Sequence, residues 1–119
     1  MSLLHWFTRN WADTDEPGDP ALAPVDLPLS PPDALGRVTA AVRGLPRWAV
    51  ASEDAAAGTL HATRRTRLWR FVDDIHVRLE PLPDGTTRLH ARSKSRVGVG
   101  DFGQNRRNLL ELFGALNGS

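Results

Sequence analysis

The chain has 119 residues, enough for one domain with an ordinary hydrophobic core, and its formal net charge is only +1. It contains no cysteine, which excludes disulfides, thiolate metal sites and cysteine nucleophiles. No apolar run approaches the roughly 18 residues that span a bilayer, and the N-terminus lacks the basic region of a secretory signal, so we expect a cytoplasmic protein.

The charge is distributed unevenly along the chain. Residues 1–33 hold six acids and one base, a net charge of −5, whereas the remainder holds eight acids and fourteen bases, a net charge of +6. An acidic N-terminal segment therefore precedes a basic domain, and this asymmetry is more informative than the near-neutral total.

The first eleven residues are rich in large apolar side chains, several of which recur at a helical spacing: Leu3, Leu4, Phe7 and Trp11. Such a segment docks on the domain's own surface, or contacts a membrane surface or a protein partner through Trp6, Phe7 and Trp11.

Residues 12–29 contain four prolines with several acids and no periodicity. This composition predicts an extended linker without regular structure. We therefore expect two parts, an aromatic segment with an acidic, proline-rich linker over 1–29 and a single α+β domain over 30–119.

Helical periodicity marks both ends of that domain. Ser30 and Pro31 are typical of an N-cap and a first helical position, and Gly44 with Pro46 ends the helix. A second helix begins after Asp101, with an inner stripe of Phe102, Arg106, Leu109, Phe113 and Leu116.

Four segments between the helices alternate or are rich in strand-forming residues: 47–53, 59–65, 74–80 and 88–93. The strict alternation predicts a sheet with one dry and one wet face. The fold class is therefore α+β: a four-stranded antiparallel meander with the N- and C-terminal helices packed on one face, in the order α-β-β-β-β-α.

Gly98, Gly100 and Gly103 match the G-x-G-x-x-G pattern of dinucleotide-binding turns. The chain ends sixteen residues after Gly103, too early for the second parallel strand that such a site requires. We therefore interpret the glycines as a tight strand-to-helix turn, where a smaller anion could bind beside Arg92 or Arg96.

The wet face carries one histidine on each of three successive strands: His61, His76 and His90. A three-histidine metal site is one interpretation. Neighbouring arginines disfavour a dication and suit an anion better, so we expect no metal. A solvated face with cross-strand pairs is the simpler interpretation.

Arginines interleave with Trp69 and Phe71, as in nucleic-acid binders. Asp73 and Asp74 follow at once, and the isoelectric point of about 8.5 is below that of a dedicated basic domain. We do not expect nucleic-acid binding.

The acidic pair Asp73-Asp74 suggests acid–base chemistry, but adjacent strand residues point to opposite faces. Asp73 falls on the dry side, where it needs a partner such as Arg106 or Arg96. We expect an internal network that fastens the last helix to the sheet, built from arginines and from Asp73, Asp101, Asn105, Ser93 and Ser95.

Three motifs together resemble the bacterial and plastid domain-of-unknown-function family 1499: Phe71-Val72-Asp73-Asp74, then Arg92-Ser93-x-Ser95-Arg96-x-Gly98, then Asp101-x-Gly103-x-Asn105-Arg106. The resemblance covers roughly residues 35–116. It implies little about function, because the family is uncharacterised, and it does not say whether these polar residues form a site or a structural lock.

We expect a non-enzymatic binding module without a cofactor, whose polar cluster recognises an anionic small molecule or headgroup. The candidate site residues are Asp73, Asp74, Arg92, Ser93, Ser95, Arg96, Asp101 and Asn105, with the turn glycines Gly98, Gly100 and Gly103. Alternatives are a purely structural or partner-docking domain and, last, a hydrolase-like enzyme that uses Asp73 or Asp74.

Overall fold

A computed structural model describes residues 11–15, 19–65, 71–96 and 103–117 of the chain. In these residues the elements follow in the order β1 (Trp11–Asp13), a short 3₁₀ helix (Pro20–Leu22), β2 (Val25–Leu27), α1 (Pro31–Gly44), β3 (Trp48–Asp54), β4 (Thr59–Arg65), β5 (Val72–Pro81), β6 (Thr87–Ser95) and α2 (Gln104–Asn117).

The predicted α+β class with an antiparallel sheet is confirmed. Strands β3 to β6 form a meander in which each strand pairs with the next. Turns at 55–58 and 83–85 join the strands where small and turn-forming residues predict them. A register shift between Val50 and Ser52 marks a bulge in the edge strand β3, a device that discourages pairing with other chains.

The prediction of four strands was wrong, because the described sheet has six. The two additional strands, β1 and β2, lie in the segment predicted to be an unstructured linker, apart from Trp11 just before it. Both pair antiparallel with the outer edge of β6, β1 opposite residues 92–94 and β2 opposite residues 87–89. They satisfy backbone groups that would otherwise form an open edge.

One hydrophobic core lies between the two helices and a single face of the sheet, here called the covered face. Its apolar side chains come from alternate strand positions, among them Leu60, Ile75, Val77, Leu79 and Leu89. Helix α1 contributes Leu35, Val38 and Val42, and α2 contributes Leu109, Leu112, Phe113 and Leu116.

The opposite face of the sheet, here called the open face, has no described helix packed on it and carries the polar strand positions. No helix in the described part of the chain is long and apolar enough to cross a membrane.

Candidate functional site

The pleat of β5 and β6 divides the predicted polar cluster between the two faces of the sheet. Asp73 and Ser93 point to the covered face and are 2% and 0% exposed. Asp74, Arg92 and Lys94 occupy the alternate positions and lie on the open face. The cluster is therefore two separate arrangements.

The covered-face arrangement is a buried hydrogen-bond network between the sheet and α2. The Ser93 hydroxyl donates to Asn105 Oδ1 at 2.6 Å, and Asn105 Nδ2 donates to Ser95 Oγ at 2.9 Å. Asn108 Nδ2 donates to Asp73 Oδ2 at 2.7 Å and lies 3.1 Å from Ser93 Oγ. Because these groups are removed from water, each bond prevents a costly unsatisfied polar atom.

The described partner of Asp73 is an amide and not one of the predicted arginines. Among the described contacts, Arg96 pairs with Asp74 and Arg106 pairs with Asp19, while Asn108 donates to Asp73. Sequence reasoning missed Asn108, although it stands one helical turn after Asn105 and therefore on the same side of α2. That spacing is the signal that could have identified it.

A second polar contact between the helix and the sheet was also missed. Glu111 of α2 accepts from the indole Nε1 of Trp48, and Arg64 Nε lies 3.4 Å from the same carboxylate oxygen. Arg64 is only 7% exposed and lies directly across from Asp73 in the β4–β5 pair. The covered face thus combines an apolar core with a polar margin beneath α2.

On the open face, cross-strand register aligns the unusual residues in rows. One row runs from β3 to β1 through five residues: Ser52, His61, His76, Arg92 and Asp13. The next row toward the C-terminal end of β6 contains Thr63, Asp74, Lys94 and Trp11. These two rows contain two of the predicted site residues, Asp74 and Arg92, and Arg96 follows directly after β6.

Asp74 is firmly held on the open face. Arg96 donates to both of its oxygens, Nε to Oδ2 and Nη2 to Oδ1, each at 2.8 Å. His61 Nε2 lies 2.7 Å from Oδ1. The hydrogen bonds from Arg96, and then from His61, lower the pKa of Asp74 to about 2, so it is a carboxylate at neutral pH.

The three histidines do not converge on one point. The rings of His61 and His76 stack with centroids 4.5 Å apart, and burial, followed by the charges of His61 and Arg92, lowers the pKa of His76. His90 lies between two carboxylates, with Nδ1 2.7 Å from Asp15 and Nε2 2.8 Å from Glu80. No group of three His, Asp or Glu side chains in the described residues could hold a metal ion.

Two neighbouring cavities lie on the open face and share His76 and Arg92. The smaller has a volume of about 440 Å³ and is lined by Asp74, His76, Arg92, Lys94, Ser95 and Arg96. The larger, of about 730 Å³, extends over β4 and β3 and reaches Asp13, Ser52 and Asp54. The smaller cavity therefore contains three cations against one carboxylate.

Arg92 and Lys94 differ in their contacts from three other cations on the open face, Arg78, Arg88 and Arg96. The guanidinium of Arg92 lies over the ring of Trp11, 5.5 Å from its centroid. Among the described residues neither Arg92 nor Lys94 forms an ion pair, although Arg78, Arg88 and Arg96 all do. Two cations thus face one small cavity without a carboxylate of their own.

Several predicted residues lie outside the described part of the chain: Trp6, Phe7, Trp69, Gly98, Gly100 and Asp101. Gly103 is described and adopts a positive φ of 82°, which suits glycine at a turn into a helix. Its carbonyl accepts from the backbone N–H of Arg107 at 3.1 Å, in the first turn of α2.

The comparison with protein families agrees with the motif resemblance. The model of the family described as a protein of unknown function, DUF1499, matches residues 7–116. The chain belongs to this family. The DUF1499 match begins well before residue 35, so it includes β1 and β2, the two strands that pair with β6. No curated protein gives a significant match.

Proposed function

We propose that this DUF1499 domain is a non-enzymatic binding module that holds an anionic group in the smaller cavity of its open face. The observation that supports this proposal best is the presence of two cations, Arg92 and Lys94, that line one cavity and form no ion pair among the described residues. Cations in a concave site raise the local concentration of anions.

Each cation has a distinct part in this proposal. Arg92 offers a planar set of N–H donors that suits a carboxylate or a phosphate, and its position over the ring of Trp11 limits the entropy lost on binding. Lys94 supplies a compact second charge. Arg96 is already engaged by Asp74 and forms the wall of the cavity.

The buried half of the predicted cluster has a structural role in this proposal. Ser93, Asn105 and Asp73 are enclosed beneath α2 and hydrogen-bonded there. They fasten the helix to the sheet that presents Arg92, as expected for a fully satisfied buried network. Binding and structural roles thus belong to opposite faces of the same strands.

The hydrolase alternative finds less support in this geometry. Asp74 has a pKa of about 2, so at neutral pH it is too weak a base and holds no proton to donate. Asp73 is 2% exposed and lies beneath α2, where a substrate does not reach it.

The test is a thermal melt with increasing phosphate or acetate at matched ionic strength, since some anions stabilise proteins non-specifically. A bound anion at about one hundred times its dissociation constant adds roughly 2.7 kcal/mol to the free energy of unfolding. We expect a saturable rise in Tm that is lost in Arg92→Gln and in Lys94→Gln.

Arg88→Gln is the matched control. Arg88 lies on the same strand and face but is already paired with Asp26 at 2.7 Å, so its loss should leave the anion effect intact. An absence of saturable stabilisation, or an equal loss in all three variants, would contradict the proposal.

A further inference from the structure

Two carboxylates, Asp13 and Asp26, lie opposite arginines of β6 on the short strands at its outer edge, and only one of them forms an ion pair with its arginine. Asp26 of β2 is the register partner of Arg88, and the two form a bidentate ion pair with distances of 2.7 and 3.2 Å. Asp13 of β1 is the register partner of Arg92 in the same way, but these two form no ion pair.

Contacts on both sides keep the Asp13 and Arg92 charges apart. The guanidinium of Arg92 is directed over the ring of Trp11, two residues before Asp13. The carboxylate of Asp13 accepts the backbone N–H of Asp15 at 2.9 Å, which fixes its position at the end of β1. A cation and an anion are therefore held as neighbours, each without an opposite charge among the described residues.

Both side chains line the larger cavity, and Arg92 also lines the smaller one. Cross-strand partners have Cβ atoms about 5 Å apart. A ligand with a negative and a positive group joined by a short link would meet both charges at once, whereas a simple anion at Arg92 would also meet the repulsion of Asp13.

We propose that the ligand is a small zwitterion, a phosphate ester with a protonated amine, whose anionic group binds Arg92 and Lys94 while its ammonium binds Asp13. This inference rests on the proposed anion site and names the class of its ligand. The same chemistry is present in free phosphoethanolamine and in the headgroup of phosphatidylethanolamine.

The experiment is calorimetric titration of the full chain with inorganic phosphate, ethyl phosphate and phosphoethanolamine at constant ionic strength. Ethyl phosphate has a link similar to that of phosphoethanolamine but lacks the amine. One additional partly exposed charge pair is expected to make phosphoethanolamine bind roughly fivefold more tightly than ethyl phosphate.

The Asp13→Asn variant separates two effects of the Asp13 carboxylate: its attraction for the ammonium group of the ligand and its repulsion of the phosphate group. In this variant the preference for phosphoethanolamine should disappear, and ethyl phosphate should bind more tightly than to the unchanged chain because the repulsion is removed. Asp26→Asn is the matched control, since Asp26 holds the equivalent position on β2 but is already paired with Arg88. It should leave the preference unchanged.

The titrations distinguish failure of the zwitterion proposal from failure of the anion site. Equal affinities for ethyl phosphate and phosphoethanolamine, or a preference that survives Asp13→Asn, would overturn the zwitterion proposal while the anion site stands. Failure of all three compounds to bind would overturn the anion site itself.

The source of the ligand is distinguished by flotation with phosphatidylcholine vesicles that contain or lack phosphatidylethanolamine. The trimethylated ammonium of phosphatidylcholine cannot donate a hydrogen bond to Asp13. Binding only to vesicles with phosphatidylethanolamine identifies the headgroup, and binding of soluble phosphoethanolamine without vesicle binding identifies a free metabolite.

Discussion

Asp73 and Asp74 show how strongly the environment of a residue depends on the pleat of its strand. Consecutive residues on β5 point to opposite faces, so one carboxylate is buried beneath α2 and the other faces the open cavity. Asp73 accepts from the neutral amide of Asn108, whereas Asp74 is bound by the guanidinium of Arg96. The same residue type thus has a structural part on one face and an electrostatic part on the other.

The pKa of Asp74 leads to a prediction about acid stability. Its folded-state pKa of about 2 is below the ordinary 3.8, so its ion pair contributes stability above pH 3.8 that is lost as the pH falls through 2. Asp74→Asn should lower the free energy of unfolding by roughly 1 kcal/mol at pH 7. Urea unfolding at pH 7 and near pH 2 measures the difference in the free energy of unfolding between the unchanged chain and the variant, which should be smaller at the lower pH. An equal difference at both pH values would contradict the ion pair of Asp74 as its cause.

The elements that could be predicted from the sequence are those with a long periodic pattern. Helix α1 and strands β4 to β6 each repeat their apolar positions often enough to fix their type and their buried face. Strands β1 and β2 have three residues each, too few for alternation to be seen. Their pairing with β6 spans sixty or more residues of sequence, which local patterns do not encode.

The candidate site could be predicted only in part for a related reason. The motif predicted which residues of β6 are unusual, and alternation predicted that Asp73 and Asp74 diverge. That Arg92 lies over the ring of Trp11 depends on the position of β1, and local patterns do not predict the pairing of β1 with β6. The side-chain partner of a residue is set by tertiary packing, so the separation of Arg92 from Asp13 emerged only in the folded chain.

The attachment of α2 to the sheet can be tested at Asn108, which is fully buried and donates to Asp73 and Ser93. Asn108→Ala should lower the free energy of unfolding by about 2–3 kcal/mol, because it removes a donor from a buried carboxylate. Chemical denaturation followed by circular dichroism measures the change. Asn117→Ala, an exposed position on the same helix, is the control and should be nearly neutral. Equal effects of the two substitutions would argue against the network.

At the scale of the whole molecule, the uneven charge of the sequence becomes a set of contacts within the chain. Three acids of the N-terminal segment face bases of the later elements: Asp15 with Arg78 and His90, Asp19 with Arg106, and Asp26 with Arg88. The acidic segment therefore neutralises three of the fourteen Lys and Arg residues that follow it: Arg78, Arg88 and Arg106. Arg92 and Lys94 take part in none of these ion pairs among the described residues, so both contribute positive charge to the open face.

The N-terminal acidic segment also contributes side chains to the hydrophobic core, which distinguishes it from a linker. Leu22 is 1% exposed and Leu27 is 8% exposed, and both belong to the single core cluster. Leu22→Ala should therefore destabilise the entire domain by about 2–4 kcal/mol, since it removes buried methyl groups and leaves a cavity. An unattached linker would tolerate the change without loss of global stability.

Two measurements on the Leu22→Ala variant check this expectation together. Tryptophan fluorescence and far-ultraviolet circular dichroism should report one coincident transition at lower denaturant, as in a two-state domain. Hydrogen exchange of residues 20–27 should accelerate by the same factor as that of β5, because both would open only through global unfolding. Ala23→Ser, at an exposed neighbouring position, should change neither readout. Faster exchange confined to residues 20–27, with β5 unaffected, would mean that this segment opens independently of the rest of the domain.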